Sequence, residues 1–396
     1  MLNSLSPKSI RKMLLIIGLW PEDHKLEKNF PFVRYRYCIP LSFVALLISV
    51  PQTANLFRVY NNLVLLTENL TVANFAALCT CWKIFIMKSN WKVLGQVVTS
   101  YAMDQKNMKG KKESEILRHS ASVSGIFAII SVLLAEGTAS LKTLERAVFI
   151  IQAEINGRER EFFFQSWFPS IMKVTPNYQL VCAGQFLAVH FLSICYAAVD
   201  SFFFMLLLHI CAQFKILQKT LFENINSSRN SQDDNEFKRT IGLIVRRHDH
   251  LNCLVRIMED SFNFYLLILV IISTLLICFQ AFLVFKEISK FDSFPVNEIS
   301  FLASYVIYVL TFLFFYCYIG ELVTTSSTEI RNAVFRSNWQ NLSPRNSKML
   351  MIIIFRTRRP LQLTAGKFSV FSIETYSKII RTAAGYCSVI IQFYKG

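Results

Sequence analysis

Seven apolar runs recur along this 396-residue chain, at about residues 37–57, 63–81, 121–141, 180–214, 262–285, 299–322 and 368–394. Each approaches or exceeds the ~20 residues that a helix needs to cross the hydrocarbon core of a bilayer. Inside lipid the backbone must satisfy its own polar groups, so runs of this length are expected to be helices. The expectation is an all-α membrane protein with seven transmembrane helices. With 53% hydrophobic residues and 36 Phe spread to the end of the chain, the apolar character is not one anchor or a removable leader. Near the start, residues 13–19 form a short apolar patch followed by Trp20, Pro21 and charges, without a small-residue cleavage site, so the N-terminus is expected to stay attached.

The charge, +16 overall, would point to nucleic acid in a soluble protein, but in a membrane chain it sorts by side. Lys and Arg number 7 before the first run, 8 between the second and third, 8 between the fourth and fifth, and 8 between the sixth and seventh. The opposite segments hold 1, 5, 2 and 1. This asymmetry places the N-terminus in the cytosol and the C-terminus outside, and no nucleic-acid partner is expected. A seven-span G-protein-coupled receptor would have the reverse orientation. A transporter would show related halves or broken helices in corresponding positions, and neither is evident.

Enzyme chemistry has no foothold. There is no phosphate-cradling glycine loop, no Gly-x-Ser-x-Gly elbow and no His-Glu-x-x-His pair. His248, Asp249 and His250 are adjacent, point in different directions on a helix, and are expected on a solvated face. Of the ten cysteines most lie inside apolar runs, and Cys79 and Cys81 lack the partners of a zinc site. No cofactor and no metal are expected.

The fourth run, 35 residues over 180–214, is about 50 Å of helix against a core of roughly 30 Å. It must project into the cytosol, which puts Asp200 near the inner boundary. A polar break at 226–235 follows, then an amphipathic stretch at 237–258 and a short apolar helix at 347–355 ended by Arg358, Arg359 and Pro360. The inner ends of the last four spans are expected to pack together. Outside, Phe162, Phe163, Phe164, Trp167, Phe168 and Pro169 either close the mouth of the bundle or form an interfacial belt.

Two constellations invite a role. In the last run Lys378, Thr382, Gly385, Val389, Gln392 and Gly396 share one helical stripe, small or polar apart from Val389. Such a face needs protein or water over it, so either copies around an axis line a pore with it or it faces the bundle of a monomer. The outer halves of four other spans carry costly polar groups: Glu68, Asn69 and Asn74, then Glu136 and Thr138, then Gln185 and His190, then Tyr305 and Tyr308. With Val72, Phe75, Leu134, Gly137, Phe186 and Ile194 around them, they outline a mostly apolar pocket or simple helix packing.

Phe315-Tyr316-Cys317-Tyr318-Ile319-Gly320-Glu321-Leu322, Trp339, and the run 364–394 with Phe368, Tyr376-Ser377 and Tyr386-Cys387-Ser388-Val389 form a distinctive C-terminal pattern. In these residues, and over essentially its whole length, the chain resembles the insect odorant receptor family. Trp167-Phe168-Pro169, Pro176-Asn177-Tyr178, Gln185, Asp200 and residues 213–217 are similar too. Gly385-Tyr386-Cys387 departs from the Ser-Tyr-Phe often found before the pore valine, and Lys378 adds a positive charge to the stripe.

The resemblance implies an odorant-gated, non-selective cation channel subunit, heterotetrameric with a co-receptor subunit, with volatile odorants as ligands and membrane lipid around it. It implies Val389, Gln392 and Phe393 in the narrow outer pore. It also implies a ligand pocket from Val72, Phe75, Leu134, Gly137, Thr138, Phe186, His190, Ile194, Tyr305 and Tyr308. The segments then read as a cytosolic N-terminus (1–36), four spans with the pocket (37–214), a cytosolic anchor segment (215–261), two spans (262–322), a second anchor segment (323–367) and the pore-lining span (368–396). The implied place is the plasma membrane of an olfactory neuron dendrite. A gustatory-type chemoreceptor channel is the alternative within the same architecture.

The orientation has a simple test. Asn226-Ser227-Ser228 and Asn341-Leu342-Ser343 match the N-glycan acceptor pattern but lie in segments assigned to the cytosol. Neither is expected to carry glycan in secretory cells, and an endoglycosidase-sensitive mobility shift that disappears with Asn226→Gln or Asn341→Gln would reverse the orientation.

Overall fold

The computed structural model describes residues 6–21, 35–107, 110–227, 234–288 and 296–395. Helix α1, Ser6–Ile17, precedes the first span, α2, Cys38–Val59. The second span, α3, covers residues 63–89 and is followed by α4, Trp91–Lys106. Three long helices come next: α5, Lys111–Ile155, α6, Asn177–Ser227, and α7, Asp234–Ile288. Then follow α8, Val296–Arg336, α9, Pro344–Arg356, a hairpin of β1, Thr364–Ala365, with β2, Ser369–Val370, and the last span, α10, Ile373–Lys395. The seven spans are α2, α3, α5, α6, α7, α8 and α10. Among the described residues five helices are long and apolar enough to cross a membrane by composition alone. The other two are α3, interrupted by a π turn at Leu70–Asn74, and α10, which carries the polar stripe.

The long helices have 45, 51 and 55 residues. At 1.5 Å per residue they measure about 68, 76 and 82 Å, far more than a bilayer core. The amphipathic stretch 237–258 is thus no separate helix: it is the first half of α7, continuous with the fifth span. Likewise α5 continues past residue 141 to Ile155, so the first part of the expected outer loop is helical. Within the stretch, Phe237, Ile241, Ile244, Leu251, Leu254 and Val255 are buried as their spacing requires. Of the solvated face expected at 248–250, Asp249 and His250 are exposed, with His250 Nε2 2.9 Å from Ser100 Oγ, whereas His248 is a correction: it is buried against Phe214, where burial lowers its pKa. Helix α1 joins the same core through Ile10, Leu14 and Ile17.

At the centre of the bundle Lys83 of α3 and Asp200 of α6 form a fully buried ion pair, 2.6 Å apart. The Lys83 ammonium also lies 2.9 Å from the ring centroid of Tyr196. Tyr316 of α8 donates its hydroxyl to the same Asp200 oxygen, and Tyr265 of α7 lies 3.4 Å from the Tyr316 oxygen. Lys83, counted above with the inner-loop charges, is therefore an interior residue, because α3 runs on to Ser89.

Proline shapes α2. Pro51 has no N–H, which leaves the carbonyl of Leu47 without its helical donor, and Gln185 Nε2 of α6 donates to that oxygen at 3.2 Å. The expected seventh span begins at residue 368, but the helix starts five residues later because a hairpin comes first. Gly366 and Lys367 turn with positive φ, +57° and +67°. The turn is pinned to α7: Thr364 N–H donates to Glu259 at 2.9 Å, Gly366 N–H to the Asn263 carbonyl at 2.9 Å, and Lys367 Nζ to Asp260 at 2.8 Å. On its other side the Phe371 carbonyl presses on Gly320 of α8, where any Cβ would collide.

Breaking a buried pair leaves an uncompensated charge, at a cost of about 3–5 kcal/mol, whereas replacing both partners by apolar residues is often neutral. Lys83→Met is therefore expected to lower the thermal melting temperature of the detergent-purified protein sharply, and Lys83→Met with Asp200→Leu to recover most of it. A single variant that melts with the wild type would show that the pair does not hold the bundle together.

Candidate functional site

Above the Lys83–Asp200 pair the helices part around a cavity of about 520 Å³ of empty space, counting its open mouth. Helix α5 contributes Ala135, Thr138, Ala139 and Lys142, and α6 contributes Val189, Leu192, Ser193 and Tyr196. From α8 come Phe301, Tyr305 and Tyr308, from α3 Ala76, and from the outer loop Phe164. The alanines leave room opposite a ladder of stacked rings: Phe301 and Tyr305 are 5.9 Å apart at 14°, Tyr305 and Tyr308 6.1 Å apart at 15°. Tyr196, 6.1 Å from Tyr308, closes the floor and is the ring that faces Lys83.

Polar atoms in the walls are mostly spent elsewhere. Thr138 donates back to the Leu134 and Ala135 carbonyls at 3.0 and 2.9 Å, and Ser193 donates to Glu136. What remains is an apolar enclosure that selects by shape and contact area.

The roof is strapped down. Phe164 N–H donates to Gln185 Oε1 at 3.4 Å, and Gln185 Nε2 reaches Ser166 Oγ at 3.1 Å. Arg146 donates to the Phe163 and Phe162 carbonyls, each at 3.0 Å. The aromatic cluster divides between the two expected roles: Phe162 and Phe164 are buried across the mouth, while Trp167 is exposed under Arg58.

Of the residues expected in the pocket, Thr138, Tyr305 and Tyr308 line the cavity. Phe75 packs beside Tyr305 in the adjoining apolar cluster, and Leu134 packs half-buried against the main core. Four others do not line it. Gly137 faces open space, Phe186 and Ile194 are exposed on the outer side of α6, and His190 lies 2.7 Å from Glu136 with Phe186 against its ring. The Val72 side chain lies outside the described residues. The lining residues of α6 that sequence reasoning missed, Val189, Leu192, Ser193 and Tyr196, lie on the stripe that joins Gln185 to Asp200 at helical spacing.

Helix α10 packs by one side only. Ile379 and Ala383 are buried, and Ile390 and Ile391 rest on the α7–α8 cluster. Lys378, Thr382, Gly385, Val389, Gln392 and Phe393 are exposed, Val389 at 47% and Phe393 at 82%. The monomer-facing alternative is therefore reversed: the stripe points away from the bundle. Lys378 is held by Glu374 one turn earlier, at 2.6 Å, and Gly396 lies outside the described residues.

Residues 62–384 match the family model described as 7tm Odorant receptor. The chain belongs to this odorant receptor family. Odorant receptor 67c of Drosophila melanogaster is 25% identical over 60% of this chain, which spans 56% of that protein's length. Odorant receptor 22c of the same fly is 21% identical over 96% of this chain and 94% of its own length. The solved olfactory receptor OR5 of Machilis hrabei, in complex with eugenol, superposes with a TM-score of 0.82 at 17% identity, covering 98% of this chain and 97% of that one. The shared fold is that of a multi-pass membrane protein with seven spans.

If the cavity holds the odorant, Tyr305→Ala or Tyr308→Ala removes aromatic contact worth about 1.5–3 kcal/mol, or roughly 10–100-fold in sensitivity. Phe186→Ala and Ile194→Ala, on the outward face, should leave odorant dose-response curves in place. Curves that shift for the second pair and not the first, at equal surface expression, would place the ligand elsewhere.

Proposed function

We propose that this odorant receptor is the odorant-binding subunit of a ligand-gated, non-selective cation channel, in which α10 of four subunits surrounds a central pore. The observation that carries this reading is the exposed polar stripe of α10. The Gln392 amide, exposed here, would cost several kcal/mol against lipid, and the same helix exposes Thr382 and Ser388, whose hydroxyls bond back to the Lys378 and Gly385 carbonyls. Further subunits and a column of water remove that cost together. The expected N-terminus inside and C-terminus outside give Val389 and Gln392 the outer part of the pore. A ring of Val389 can close a narrow pore by dewetting, and Gln392 offers amide dipoles to a partly hydrated cation.

Assembly has its own surface. The inner end of α8 and the helix α9 expose Phe335, Met351, Ile352 and Phe355, an apolar set that a neighbouring subunit would cover. The partner that fits the family is a co-receptor subunit in a heterotetramer, the ligand is a volatile odorant, and the setting is lipid of an olfactory neuron dendrite. Residues 215–261 and 323–367 then form the cytosolic anchor.

The route from ligand to pore is short. Tyr196 and Tyr308 line the cavity, and Tyr196 faces Lys83. Asp200 accepts from Tyr316, whose ring lies 6.4 Å from Phe371, and Phe371 ends the hairpin that leads into α10. A ligand that wedges α8 against α5 and α6 displaces Tyr308 and Tyr316 together, and the hairpin pressed against Gly320 follows.

The pore face can be read by thiol accessibility. In channels co-expressed with a co-receptor, Val389→Cys and Gln392→Cys should react with an external charged thiol reagent and change odorant-evoked current. Ile390→Cys, packed towards α7 and α8, should react far more slowly. Fast reaction at Ile390→Cys with silence at the other two would rotate the pore face by about 100° and discard the stripe.

A further inference from the structure

Immediately outside the apolar cavity lies a second chamber of about 720 Å³, counting its open mouth. Lys142, Phe164 and Phe301 line both and form the wall between them. The two spaces differ in chemistry, since α2, α3 and the outer loop place amide and charged side chains around the outer one.

Its charged groups have partners. Lys142 pairs with Glu145 at 2.8 Å, Lys286 with Glu68 at 3.6 Å and with Glu287 at 3.3 Å, and Arg146 with Glu161 at 3.1 Å. Three neutral amides are different. Gln52 of α2 is fully buried, and neither its Nε2 nor its Oε1 has a partner among the described residues. Asn69 of α3, 1% exposed, spends its Nδ2 on the Gln165 carbonyl at 2.8 Å and leaves Oδ1 without a donor. Gln165 spends its Nε2 on Glu68 at 2.9 Å and leaves Oε1 in the same condition. Those two bonds fix both amides with their oxygens free. The unmatched set is thus one NH₂ donor and three carbonyl acceptors, and a buried polar group left so costs about 1–3 kcal/mol.

We propose that this chamber is a subsite for the neutral, hydrogen-donating head of an amphiphilic odorant, a hydroxyl first of all, whose apolar body fills the inner cavity. This rests on the reading of that cavity as the odorant site. A hydroxyl donates one hydrogen bond and accepts others, which matches Gln52 at both of its atoms. An ether only accepts, so it satisfies the NH₂ and none of the three oxygens, and a hydrocarbon satisfies nothing. A charged head finds no free counter-charge, because the charged groups are already paired. The boundary between body and head falls at Lys142, whose ammonium lies 4.7 Å from the Phe301 ring centroid.

The test uses a 1-alkanol, its methyl ether and the n-alkane of matched length, against the full-length wild type, Gln52→Leu and Asn69→Leu. Binding is read as thermal stabilisation of purified protein, and gating as current with a co-receptor. The wild type should bind the alkanol about tenfold or more better than the alkane, with the ether between. Both variants should bring the alkanol down towards the alkane and leave alkane binding unchanged, which also shows that they fold. A wild type that does not discriminate, or variants that shift all three ligands equally, would overturn the subsite. Discrimination in binding without current from any of the three would overturn the channel reading and leave the subsite standing.

Discussion

The Lys83–Asp200 pair decides how four helices may sit. A lysine and an aspartate at the centre of a membrane bundle are costly unless they meet with good geometry and further hydrogen bonds. Here α3 brings the cation, α6 the anion and a tyrosine face, α8 a hydroxyl, and α7 a second tyrosine. Rotation of any of these helices by one residue would move its group about 100° off target. The pair therefore acts less as a source of net stability than as a key for helix rotation. Once α6 and α8 are keyed at Asp200 and Tyr316, Tyr196 and Tyr308, one to two turns outward, must face each other across the cavity.

This also explains what could be read from the sequence and what could not. Spans were legible, because twenty apolar residues leave few alternatives, and the 35-residue run at 180–214 announces a helix that outlasts the bilayer. Depth was legible for the same reason, so Thr138, Tyr305 and Tyr308 were rightly placed at one level. Azimuth was the missing quantity. Phe186 and Ile194 are at the right depth on α6 but exposed on its outward side, and half-buried His190 is bonded to Glu136 instead. A sharper constraint lay in the two costly residues of that helix. Gln185 and Asp200 must both face protein, and the stripe between them passes through Val189, Leu192, Ser193 and Tyr196. Lys83 escaped because a basic residue just beyond an apolar run looks like an inner-loop charge until its partner is known. The hairpin before α10 escaped too, since two-residue strands leave no periodicity, and only Gly320 and Gly366 mark where backbones must come close.

The placement of polar groups then separates the parts of the molecule. At the core they turn to one another, as Asp200 Oδ1 does to Lys83 and Tyr316, while Asp200 Oδ2 has no partner among the described residues. Along the cavity they are turned back on their own helix, as Thr138 is, so the inner space stays apolar. At the outer mouth the loop strapped by Arg146 and Gln185 brings amides to a boundary where an apolar space meets a polar one. A small molecule with two chemically different ends is the shape that fits such a boundary.

Helix α10 stands apart from this logic, and its attachment shows how force can reach it. Its apolar side is narrow, resting on Ile379, Ala383, Ile390 and Ile391, while the opposite face is exposed among the described residues. The least embedded span is thus tied most firmly at its inner end, by a hairpin bonded to α7 through Glu259, Asp260 and Asn263 and wedged against Gly320 of α8. A helix held strongly at one end and weakly along its length responds to small shifts between its two anchors as a lever does. Under the proposed reading, a ligand beside Tyr305 and Tyr308 would shift α8 against α7, and the same continuous helix carries both the cavity lining and Gly320, against which the hairpin is pressed.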